Sequence, residues 1–167
     1  KPEVYEFLDK LYAEYTTGPN PCFVGPDLHI GTDEYNRDES KKFREFTNRY
    51  MNYITQLGKR PRLWGGMRWM NTDTTSVKAQ GNAIINAWSR DWVDPNKSLE
   101  DGFKLINTCD AMLYIVPAAG YYYDFLNNEW LYNNYRPEKI NHNETLPDFT
   151  PGVLGGMFAV WNDICGN

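Results

Sequence analysis

Strand-like and helical segments alternate along the whole chain, and each apolar run ends at its C-terminal edge in a residue able to do chemistry. Together these predict an α/β fold, part of a (β/α)₈ barrel. Length sets how much of it: at 167 residues the chain is too short for a complete eight-stranded α/β barrel, which takes roughly 250. The alternation alone fits an open doubly wound sheet equally well. The strand-end residues decide, because in a barrel the strand C-termini converge on one mouth, whereas in an open sheet they spread along a line.

The elements follow in order. Val4, Phe7, Leu8, Leu11 and Tyr15 fall at helical spacing, and Pro2 suits a first turn. After the loop TTGPNPCFVGPD, the segment LHIGTDEY (28–35) begins β-rich and is broken by Gly31, a strand running into a loop. Asp38 is the expected cap of a helix whose stripe is Phe43, Phe46, Tyr50, Ile54 and Leu57, stopped by Gly58. RPRLWGG and NAIINAWS read as strands, with a short helix or turn between them up to Gln80. Ser98 and Asp101 form a capping-box pattern that predicts a helix through Ile106. DAMLYIVP and GVLGGMFAVWND complete the strands, with a long polar loop between.

Composition narrows the function. A hydrophobic share of 41% with 23% charged residues fits a soluble globular chain, and no run approaches the roughly 18 apolar residues of a membrane span. Seventeen basic against 22 acidic residues give a net charge of −5, which offers no basic stripe for nucleic acid. Six Trp and twelve Tyr are more than a core of this size hides, so some rings are expected to face a ligand. Cys22, Cys109 and Cys165 lack metal spacing, and no metal or cofactor is expected. Sequons at Asn96 and Asn143 permit a secreted origin. The chain opens in helical pattern at Lys1 and closes at Asn167 just after an apolar run, so both ends read as cut.

The strand-end residues are Asp33 with Glu34, Trp64, Trp88, Tyr122 with Asp124, and Trp161 with Asp163. Two consecutive carboxyls serve acid/base chemistry only where the strand ends between them, since neighbours in a regular strand point to opposite faces. Like charges that close push one pKa upward, which suits a proton donor beside an ionised partner.

HIGTDE (29–34) resembles the signature of glycoside hydrolase family 20, which includes β-N-acetylhexosaminidases and lacto-N-biosidases. The ordered series Trp64, Trp88, Tyr122-x-Asp124 and Trp161-x-Asp163 extends that resemblance over residues 28 to 163. It implies that the chain supplies the C-terminal half of the barrel, strands 4 to 8. The implied reaction is substrate-assisted retaining hydrolysis of a glycan bearing N-acetylglucosamine or N-acetylgalactosamine. The implied catalytic set is Asp33, Glu34 and Tyr122: Glu34 is acid and then base, Asp33 orients the acetamido N–H, and Tyr122 meets the acetamido oxygen. Trp64, Trp88 and Trp161 wall the sugar, Asp124 and Asp163 bind hydroxyls, and His29 supports the carboxyl pair by hydrogen bonding. The sequence departs from the family pattern at Asp163, where the exo-acting members carry Glu, which favours a disaccharide-releasing specificity. A sugar-binding arginine of the first strands has no counterpart, so the N-terminal half of the barrel, or self-association, is the expected partner, in an extracellular or cell-surface setting. Two other readings are a non-catalytic carbohydrate-binding module and an open α/β domain whose strand ends never meet.

Overall fold

A computed structural model describes residues 1–70, 76–140 and 145–164. Cys165, His142 and the Asn143 sequon lie outside these residues. The chain opens with helix α1 (Pro2–Thr16) and strand β1 (Asp27–His29). A 3₁₀ turn at Arg37–Glu39 leads into α2 (Ser40–Gln56), then β2 (Arg60–Trp64), α3 (Met67–Met70) and β3 (Ile84–Ala87). Next come α4 (Pro95–Glu100), β4 (Lys104–Asn107), α5 (Asp110–Leu113) and β5 (Tyr114–Ile115), then α6 (Asn128–Asn134), β6 (Val153–Gly156) and β7 (Ala159–Val160).

Five strands form one parallel sheet in the order β1-β2-β3-β4-β6, and β5 pairs in parallel with β7. The order follows the chain with no reversal, whereas a doubly wound sheet reverses at its switch point. This sequential parallel arc is the barrel-type arrangement, and it puts the C-termini of its five strands on the same edge. Among the described residues no helix is long and apolar enough to cross a membrane.

Alternation along the strands builds the two faces. On β2, Leu63 is fully buried against the helical layer, while Arg62 and Trp64 take the opposite face. The helical layer is anchored by Tyr50, Met51 and Ile54 of α2, all without solvent exposure, packed in one core with Leu28, Leu63 and Ile85. α1 docks on α2 through Tyr5 and Tyr12, whose rings lie 6.1 and 5.4 Å from that of Tyr50.

Four expected elements are corrected. GVLGGMFAVWND, expected as one strand, divides into β6 and β7, which pair in different sheets. The helix expected through Ile106 ends at Glu100, capped by Asp94, whose carboxylate accepts from the Lys97 N–H at 3.0 Å. Asp101 instead pairs with Lys78 and Lys97. Gly102, at φ 88°, then turns the chain into β4, with Phe103 just before the strand and Leu105 within it buried at alternate positions. DAMLYIVP splits into helix α5 and the two-residue β5, because Asp110 at the helix start suits the N-terminal dipole and Ala, Met and Leu favour helix. Asp38 lies inside the 3₁₀ turn, whose cap is Asn36, accepting from the Asp38 N–H at 3.0 Å.

Candidate active site

The ladder outlasts β1 by one bond, from Ile30 N–H to the Arg62 carbonyl at 2.8 Å, and then the backbone turns left-handed at Gly31 (φ 77°) and Thr32 (φ 72°). The turn is held by the Trp64 N–H, donated to the Gly31 carbonyl at 2.9 Å, and by the Gly31 N–H, donated to His29 Nδ1 at 3.1 Å. Gly66 lets β2's exit approach this turn: a Cβ there would stand 3.2 Å from the Asp33 carbonyl and 3.0 Å from the Phe43 ring. At Gly65 a Cβ would collide with Val93.

Aromatic rings complete the wall. His29 and Trp64 lie 5.3 Å apart, Trp64 and Trp161 5.7 Å, Trp161 and Tyr114 5.6 Å, Tyr114 and Tyr122 5.4 Å. Trp88, buried, donates its indole N–H to the Gly65 carbonyl at 2.8 Å and stacks on Trp92. The result is a cavity of about 300 Å³ lined by Asp33, Glu34, Trp64, Trp88, Tyr114, Tyr122, Trp161 and Asp163. Strand-end residues spread over 130 positions of sequence therefore share one space, from Asp33 to Asp163. Asp33 and Glu34 also border a second cavity of about 640 Å³, lined among others by Tyr5, Ile30, Tyr35 and Phe43.

His29 and Asp124 are the two expected site residues that do not line the cavity. His29 lies beside Trp64 with its side chain partly open to solvent. Its pKa is pushed down to about 4 by desolvation and by the nearby Arg62, so at neutral pH it is uncharged and Nδ1 is free to accept. Asp124 is exposed and accepts from the Ala118 N–H at 2.8 Å, which ties the loop rather than reaching the cavity. Asp163 accepts from the Tyr121 hydroxyl at 2.7 Å.

Tyr114 and Asp110 are site groups that the sequence pattern does not single out. Tyr114 lines the cavity from β5, inside a run that reads as a plain strand. Asp110 sits just outside: its N–H donates to the Trp88 carbonyl at 2.7 Å and its carboxylate accepts from the Tyr122 hydroxyl at 3.1 Å, linking two walls. Burial raises the Asp110 pKa above its ordinary value. Tyr122 is pushed up to about 12, by burial first and then by Asp110, Glu34 and Asp163, so its phenol keeps its proton and remains a donor.

The parallel α/β arc that carries this carboxyl pair and its aromatic rings has counterparts among solved structures. Solved structures that share the fold include family 20 exo-β-N-acetylglucosaminidases and β-N-acetylhexosaminidases. One is the β-N-acetylhexosaminidase of Bacteroides fragilis, 21% identical with a TM-score of 0.68, over 98% of this chain and 35% of that one. Another is the family 20 exo-β-N-acetylglucosaminidase of Vibrio harveyi in complex with N-acetylglucosamine, 20% identical with a TM-score of 0.63, over 99% of this chain and 28% of that one. Among curated proteins, lacto-N-biosidase of Bifidobacterium bifidum is 24% identical over 186 residues, 97% of this chain and 16% of its own length. The chain thus spans about a sixth of the curated relative it matches. No family model matches.

Proposed function

We propose that this chain carries the carboxyl pair and most of the sugar-binding wall of a glycoside hydrolase that releases β-linked N-acetylhexosamine from the non-reducing end of glycans. The observation that carries this reading is the single cavity holding Asp33, Glu34, three tryptophans and Tyr122. Flat indole faces suit the C–H faces of a pyranose, and the carboxyl pair supplies acid/base chemistry.

In the proposed reaction the acetamido oxygen of the substrate attacks the anomeric carbon as the glycosidic C–O bond breaks. Glu34 gives its proton to the leaving oxygen. Asp33 holds the acetamido N–H and balances the positive charge on the resulting oxazolinium ion, and the Tyr122 hydroxyl turns its one proton from Asp110 to the acetamido oxygen. Glu34, now a carboxylate, takes a proton from water as the water oxygen bonds to the anomeric carbon and the acetamide re-forms. Retention follows because the anomeric carbon is inverted twice.

The remaining barrel strands are proposed to come from further sequence of the same protein, in an extracellular or cell-surface setting where such glycans lie. The two apolar flanks support this: Val4, Phe7 and Leu11 on α1, and Leu154 on β6, Phe158 just after it and Val160 on β7, are all exposed. Release of a disaccharide is a second reading, favoured by the lacto-N-biosidase relative and by Asp163, whose short carboxylate is held by Tyr121.

The test is hydrolysis of a chromogenic β-N-acetylglucosaminide and a lacto-N-bioside by the full-length protein. Glu34→Gln is expected to lower turnover by on the order of 10²–10⁴-fold while sparing ground-state binding. A thiazoline mimic of the oxazolinium ion is expected to inhibit tightly, since the site binds that species better than substrate. Full activity with weak thiazoline inhibition would instead point to a protein nucleophile.

A further inference from the structure

Asp33 and Glu34 are sequence neighbours, and in a continuing strand they would face opposite sides of the sheet. Both line the same cavity, because two left-handed residues, Gly31 and Thr32, precede them. Glycine takes that conformation freely, but a β-branched residue at φ 72° is a true outlier. Such strain persists only where its surroundings over-determine it. Here the surroundings are specific. The Thr32 hydroxyl lies 2.6 Å from the Gly31 carbonyl and 3.2 Å from the Trp64 carbonyl, so its one proton points into the junction of β1's exit with β2's end. Trp64 returns a backbone bond to Gly31 at 2.9 Å and offers its indole to the cavity. Thr32 thus joins the turn that presents the carboxyls to the strand that presents the cage.

We propose that Thr32 is a positioning residue for the carboxyl pair: its left-handed backbone brings Asp33 and Glu34 into one cavity, and its hydroxyl fixes that turn to Trp64. The kinetic consequence rests on the glycosidase reading above; the structural consequence does not.

The experiment compares Thr32→Gly and Thr32→Ser in the full-length protein. Glycine removes the left-handed penalty along with the hydroxyl, so Thr32→Gly is expected to melt no lower than the wild type. Its kcat on the chromogenic substrate is expected to fall by on the order of tenfold to a hundredfold with KM nearly unchanged, as for a misplaced reacting group. Amide hydrogen exchange in the peptide spanning 30–36 is expected to accelerate. Thr32→Ser keeps the hydroxyl and is expected to restore both readouts. Wild-type kcat and exchange in Thr32→Gly would overturn the proposal, as would damage in Thr32→Ser equal to that in Thr32→Gly. If the wild-type protein hydrolyses neither substrate, the glycosidase reading falls and exchange alone decides: acceleration in Thr32→Gly with rescue in Thr32→Ser upholds the role of Thr32, and unchanged exchange rejects it.

Discussion

The cavity has two walls of different character. One, made by Asp33, Glu34, Trp64 and Trp88, stands on β1 to β3, where Leu63, Ile84 and Ile85 are at most 1% exposed and α2 seals the layer. The other, made by Tyr114, Tyr122, Trp161 and Asp163, stands on β5, β7 and a loop, next to Phe158 at 59% and Val160 at 60% exposure. The first wall is fixed by ladder bonds and a filled core, whereas the second is fixed by ring contacts and two phenolic hydrogen bonds, from Tyr122 to Asp110 and from Tyr121 to Asp163. The carboxyl pair thus follows strands backed by a filled core, while Tyr122 and Asp163 sit where the framework is open.

Mutations on the two sides should separate cleanly. Ile54→Ala, deleting a fully buried side chain beneath the first wall, is expected to cost about 2–5 kcal/mol in chemical denaturation. A cost under about 1 kcal/mol would show that this layer is not the stable one. For the second wall, Tyr122→Phe in the full-length protein is expected to lower kcat by on the order of 10²–10³, the effect of losing one donor to a developing charge. Unchanged turnover would confine that wall to packing. Val160→Ala in the isolated 167-residue chain is expected to change stability by no more than about 0.5 kcal/mol, as an exposed side chain does. The same substitution in the full-length protein should cost more if the flank is covered there, and equal costs would leave the flank a true surface.

The first wall also carries a pH dependence. His29 titrates at about 4 in the folded chain, against roughly 6.5 unfolded. The unfolded chain therefore binds more protons between those values, so stability is full above the unfolded pKa and declines as pH falls towards the folded one. A proton on Nδ1 also removes the acceptor for the Gly31 N–H. His29→Gln is expected to flatten the melting temperature between pH 6.5 and 4, as read by thermal scans. An identical slope in both proteins would assign the acid sensitivity to other groups.

Much of this was legible in the sequence because it is local. Helical spacing identified α1 and α2, and short β-rich runs ending in Trp64 and Trp88 identified β2 and β3, since period and run length are properties of neighbouring residues. The resemblance of HIGTDE and the later Trp and Tyr positions marked most of the cavity lining. What failed lay where local signals compete. Ser98 and Asp101 look like a capping box, yet Asp101 is drawn to Lys78 and Lys97. KLIN becomes a strand because β3 and β6 lie on either side of it, which no local window contains.

The sequence by itself determined the alternation of strand and helix, the adjacency of Asp33 and Glu34, and the placing of aromatic residues at strand ends, all consequences of backbone periodicity and residue type. Only the tertiary structure decided that Tyr114 joins the cavity, that Asp110 backs Tyr122, that Asp124 ties a loop instead, and that Thr32 reaches Trp64. Apart from the loop tie, these depend on which distant strand ends are brought side by side, and that choice is made by packing of the whole sheet, where a few ångströms settle which of several suitable side chains reaches the cavity.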